Sequence, residues 1–80
     1  MERKDVFETL NEIFRDVLDN VDIELTDATS ANDIEEWDSL AHVQLMDAIQ
    51  NRFRVKISAR DMVTWQNIGE MVDGIIYKLG

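Results

Sequence analysis

Eighty residues carry seventeen acidic against eight basic side chains, a formal net charge of −9, and no cysteine. That length reads as one domain over residues 1–80, burying roughly 60% of its unfolded surface; the charge excludes nucleic acid as a natural partner, since such affinity comes from neutralised phosphates. The missing cysteine excludes disulfides and thiolate chemistry by the chain's own side chains, no apolar run approaches the ~20 residues of a membrane span, and Met1–Asp5 has no signal-peptide core, so the expectation is a cytoplasmic monomer.

The first element reads as a helix from Glu2 to Leu18. Phe7, Leu10, Phe14 and Val17 recur at three and four, with Val6 and Ile13 widening the stripe. Asp5 and Glu8 have capping-box spacing, so the regular helix is expected to begin near Asp5 or one turn earlier. A long connection follows from Asn20 to Asp38, rich in Asp, Thr, Ser and Asn, residues that favour turns and caps. Val21, Ile23, Leu25, Ile34 and Trp37 are spaced through it to pin it to a core. Ile23 and Leu25 alternate, but a strand there has no partner strand. From Asp19 to Trp37 lie seven acids and no Lys or Arg, hence −7 of the −9. Such a loop is either solubilising charge or a docking surface that steers basic partners.

The second helix reads from Ser39 to about Phe53, with Val43, Leu45, Met46, Ile49 and Phe53 as its buried stripe. Arg54–Ile57 is a short extended connector. Ser58 and Asp61 have capping-box spacing for a short third helix ending near Val63, and Asn67 and Glu70 open a last helix the same way. Ile68, Met71, Val72, Ile75, Ile76 and Leu79 form its apolar face, and Gly74 within it costs about 1 kcal/mol against alanine, so close packing is expected there. The fold class is therefore all-α: a four-helix bundle with three main helices, one short helix and a long first loop.

Conventional catalytic signatures are lacking. The glycines are Gly69, Gly74 and Gly80, so no glycine-rich phosphate loop exists. One histidine without thiols does not make a zinc site, and Asp27–Glu36 lacks EF-hand spacing, so no metal is expected. Ser39 and His42 lie one turn apart, but a hydrolase also needs an orienting group and an oxyanion hole. Ser39 stands where a helix start leaves N–H groups unpaired and favours an anionic oxygen. Asp38 and Ser39 are both candidate caps, so one can cap while the other is free for chemistry. Spacing alone does not choose between them.

Trp37-Asp38-Ser39-Leu40, followed by Val43 and Leu45 on a helix, resembles the modification motif of acyl carrier proteins and related thiolation domains, and the likeness runs over essentially the whole chain. The resemblance implies that Ser39 receives 4′-phosphopantetheine from coenzyme A through a phosphopantetheinyl transferase. Asp38 then lies in the transferase recognition site and Leu40 in a partner-contacting apolar spot. The arm's thiol carries an acyl or aminoacyl thioester, the sulfur coming from the cofactor. The chain itself is then no enzyme, and its partners are acyl-loading and acyl-transfer enzymes. A core lined by Leu45, Met46, Ile49, Met62 and Ile68 is expected to shelter a short cargo.

Two departures set the chain apart. Glycine often precedes the aspartate in fatty-acid-synthesis carriers, where this chain has Trp37. Those carriers also dock through an acidic second helix; here Asp38 and Asp47 are balanced by Arg52 and Arg54, with Gln44 and Gln50 in place of acids. Interface charge sets on-rate and partner choice, so a specialised carrier is inferred, its partners contacting Glu35, Glu36, Trp37, Leu40, Val43 and Asp47. The pathway is left as fatty-acid-like, polyketide-like or another acyl transfer. A peptidyl or aminoacyl carrier and an unmodified acidic helical adaptor stand as alternatives.

Overall fold

The computed structural model describes residues 2–80. Four helices follow one another: α1 (Arg3–Val17), α2 (Ser39–Phe53), α3 (Ala59–Thr64) and α4 (Ile68–Leu79), with a single 3₁₀ turn at Ala31–Asp33 inside the long first loop. Among the described residues there is no strand. The chain is a helical bundle of three long helices and one short one, as its periodicity implies. Helix α1 packs against α2 and α4.

Val6, Leu10 and Phe14 of α1, Leu45, Met46 and Ile49 of α2, and Ile68, Val72 and Ile75 of α4 are fully buried. The core is thus the meeting line of three apolar stripes, and burial of each such side chain stabilises by about 1.5–3 kcal/mol. Helix α1 begins at Arg3 with Glu2 as its N-cap residue, so Asp5 lies in its first turn and does not cap it. Helix α3 runs one residue beyond its expected end, to Thr64, and its capping box is formed: Ser58 Oγ accepts from Asp61 N (3.1 Å) and Asp61 Oδ2 from Ser58 N (3.0 Å). At the start of α4, Asn67 Oδ1 accepts from Glu70 N (2.8 Å), while Glu70 reaches Gln66 N instead of returning to Asn67.

Side chains of α1 take the place of a partner strand for the long loop. Asn11 Oδ1 accepts from Leu25 N (2.9 Å) and Arg15 Nε donates to the Ile23 carbonyl (2.7 Å). The loop in turn satisfies the open donors of α4: Ile68 N donates to Thr29 O and Gly69 N to Asp27 O. Gly69 permits that approach, because a Cβ there would fall 2.7 Å from Asp27 Oδ1. Ile23, Leu25 and Trp37 are buried and Ile34 partly so, but Val21 is 82% exposed and pins nothing.

In α2 the stripe is Ala41, Leu45, Met46, Ile49 and Phe53. Val43 is not part of it: the side chain is 58% exposed. A helix advances 100° per residue, and the row through 41, 45 and 49 leaves 43 on the outside. The helix ends at Arg54, which takes a left-handed conformation (φ 57°). Gln50 then turns inward and its Oε1 accepts from Ile57 N (2.9 Å).

Candidate functional site

The loop and α2 meet at Asp38. Its backbone is extended, and its Oδ1 accepts from Ala41 N at 2.8 Å while its carbonyl accepts from His42 N at 2.8 Å. Asp38 is therefore the cap, which settles what spacing left open. Ser39, the first helical residue, is exposed, and among the described residues its hydroxyl has no hydrogen-bond partner. Nor do the N–H groups of Ser39 and Leu40 have one, so two first-turn donors are left unpaired. The helix dipole adds partial positive charge at the same place.

Around Ser39 lies an open depression of about 430 Å³ lined by Ala31, Trp37, Asp38, Ser39 and His42. Trp37 is buried at 8% exposure and meets the Phe14 ring edge-on at 5.0 Å. This corrects the expectation that Trp37 faces a partner: its large apolar ring closes the core under the helix start. Trp37 Nε1 donates to His42 Nδ1 (3.0 Å), and the two rings lie nearly parallel with centroids 5.9 Å apart. No spacing rule flagged this pair. The imidazole is thus oriented by an indole and not by a carboxylate, which removes the arrangement a serine hydrolase needs.

The other expected contact residues lie outside. Leu40 is 70% exposed and Val43, one turn along, is also exposed. Large apolar side chains grouped on the surface are characteristic of interaction sites. Glu35, Glu36 and Asp47 are exposed as well, with Glu36 Oε2 accepting from Asn20 Nδ2 (2.9 Å). Gln50 is half-buried and committed to Ile57, so it leaves the surface on which it was placed with Gln44. Leu45, Met46, Ile49 and Ile68 are fully buried and Met62 half-buried; the region expected to shelter cargo is closed by its own side chains. Among the described residues no group of three His, Asp or Glu is placed to hold a metal ion, and no helix is long and apolar enough to cross a membrane.

The helical bundle thus offers an exposed serine at a capped helix start, with exposed apolar side chains beside it. Residues 8–75 match the family model described as a phosphopantetheine attachment site, and the chain belongs to that family. Among solved structures it is similar to the holo acyl carrier protein from Geobacter metallireducens, a solution structure: 37% identity over 91% of this chain and 84% of that one, with a TM-score of 0.86. None of the curated proteins compared matches the chain. The prosthetic group of the family is 4′-phosphopantetheine, and its members are carriers, not catalysts. The site suits such a group: a free hydroxyl for the ester and two open N–H groups for the phosphate oxygens.

Proposed function

We propose that Ser39 is the attachment point and that the chain carries acyl or related groups as thioesters on the arm held there, delivering them to partner enzymes of a specialised acyl-transfer pathway. The observation that supports this most is the division of labour between neighbours: Asp38 caps the helix, so the Ser39 hydroxyl is free. When bound, the prosthetic group supplies the thiol that the sequence lacks. Ser39 holds the phosphodiester, the first-turn N–H groups of α2 stabilise its charge, and Leu40 and Val43 give partners an apolar contact. The likeness to an acyl carrier protein favours an acyl cargo over a peptidyl one. The proposed setting is the cytoplasm, with the chain acting as a monomer.

The near-zero charge of α2, against the seven acids gathered upstream, supports partners other than housekeeping fatty-acid enzymes. Glu35 and Glu36 then provide the steering charge that the helix does not, with Asp47 as a single acid at the far side of the patch. Incubation with coenzyme A and a broad-specificity phosphopantetheinyl transferase, read by intact mass, tests the attachment. One phosphopantetheine is expected on the native chain and none on Ser39→Ala. An unchanged native mass with several transferases refutes it and leaves the acidic adaptor. Poor turnover of the acyl form by standard elongation enzymes is also expected; turnover matching a housekeeping carrier overturns the specialised reading.

A further inference from the structure

The Trp37–His42 pair has a chemical consequence for the arm. An indole N–H can only donate, so the ring nitrogen that faces it must accept. Trp37 Nε1 faces His42 Nδ1 at 3.0 Å. The imidazole is therefore held with its lone pair on Nδ1 and its proton on Nε2. The indole is itself fixed, packed edge-on against Phe14, and its ring lies nearly parallel to the imidazole, at 19°, as an in-plane N–H···N bond requires. Among the described residues the Nε2–H of His42 has no acceptor.

His42 is also in the right place to use that donor. It follows Ser39 by three residues on α2, so the two share a face of the helix. Both line the depression described above, with Trp37, Asp38 and Ala31. The charged group in that lining, the Asp38 carboxylate, is turned to the Ala41 N–H. A phosphodiester on Ser39 brings an anion whose oxygens only accept. Unpaired donors lie at the helix start for it: the N–H groups of Ser39 and of the next residue, Leu40, and on the lining residue His42 the Nε2–H. We propose that His42, oriented by Trp37, is a positioning residue for the prosthetic group, donating Nε2–H to the phosphodiester and restricting the root of the arm.

This rests on Ser39 as the attachment point, and the experiment separates the two. In the unmodified protein, long-range ¹H–¹⁵N correlation spectra of His42 are expected to show a protonated Nε2 and a bare Nδ1. Trp37→Phe, which keeps a ring and loses the N–H, is expected to remove that preference. A protonated Nδ1 in the native chain overturns the proposal. In the phosphopantetheinylated protein, His42→Ala is expected to shift the ³¹P resonance of the diester and to loosen the adjoining arm carbons in ¹³C relaxation. His42→Gln, whose amide keeps a donor, is expected to restore part of both. A purely structural role for His42 predicts loss of thermal stability with the ³¹P resonance unmoved, and that result overturns the proposal. Failure to gain the arm appears earlier, in the mass spectrum, and overturns the attachment reading and this inference together.

Discussion

The indole of Trp65 lies against the bare Cα of Gly74: a Cβ at that position would fall 2.4 Å from Cζ2 and 2.6 Å from Nε1 of the ring. Trp65 is the C-cap residue that follows α3, so this contact seats the short helix on α4. Two opposed effects follow for Gly74→Ala. Helix propensity favours alanine by about 1 kcal/mol, while forcing a methyl into filled space costs about 1–3 kcal/mol. The expected outcome is a net loss of roughly 1 kcal/mol in urea unfolding. In a Trp65→Ala background the obstruction is gone, and the same substitution is expected to stabilise. A loss of equal size in both backgrounds contradicts the packing account.

Asp38 and Ser39 are adjacent but have different work, and stability measurements separate them. Asp38→Ala removes the acceptor for Ala41 N and is expected to cost about 1 kcal/mol, the usual value of a lost cap. Ser39→Ala touches no side-chain hydrogen bond among the described residues and is expected to stay within ~0.5 kcal/mol of the native chain. Equal losses in the two variants would show that the serine also holds the helix start.

The helices were legible because their stripes are strong: Val6, Leu10 and Phe14 recur as α1 requires, and Ile68, Val72 and Ile75 as α4 requires. The caps at Ser58 and Asn67 were legible from spacing, since a side-chain oxygen reaches the N–H three residues on. The same rule left Asp38 and Ser39 undecided, because each has an N–H at that distance. The hydropathy of Val43 outweighs that of Ala41, so the pattern points to the wrong residue: the small side chain of Ala41 is buried but gives little signal. Gln50 looks like a surface residue in the sequence, since a polar side chain says nothing about the Ile57 N–H it captures seven residues away. Gly74 announced a close approach without naming Trp65, and the Trp37–His42 bond joins two residues across a helix start, where no simple period connects them.

Asp61 joins three groups: Lys78 Nζ lies 2.9 Å from its Oδ2, and Ser58 N and Oγ complete the capping box. The hydrogen bond from Lys78, then that from Ser58 N, holds its carboxyl below the ordinary value of 3.8. A carboxyl lowered in the fold favours the folded state once ionised. Its contribution is complete above the ordinary value and is lost as pH falls through the lower folded one. The stability gap between the native chain and Asp61→Asn is therefore expected to be constant above about pH 5 and to narrow in acid. Lys78→Met is expected to remove part of that acid dependence. Chemical unfolding across the range checks it, and a gap independent of pH rules the linkage out.

The acidic loop gives the last prediction. Glu35 and Glu36 are exposed just before the site, and among the described residues Glu36 is bonded only to the neutral Asn20. Asp73 on α4 is exposed too, but Arg3 pairs with it and also with Asp27. An attractive field at the site comes from charge that is near and uncompensated, and Asp73 is neither adjacent to Ser39 in the chain nor free of its counter-ion. Charge reversal at Glu35 or Glu36 is expected to slow modification by a transferase several-fold in kcat/KM at low salt, on the order of rim-charge effects on association. Reversal at Asp73 is expected to change it little and to act on stability instead, by releasing one partner of Arg3. At about 1 M salt, where the Debye length is ~3 Å, the effect at Glu35 and Glu36 should largely vanish. Equal effects at all three positions, or effects that survive the salt, would reduce the loop to solubilising charge and leave partner choice to Leu40, Val43 and Asp47.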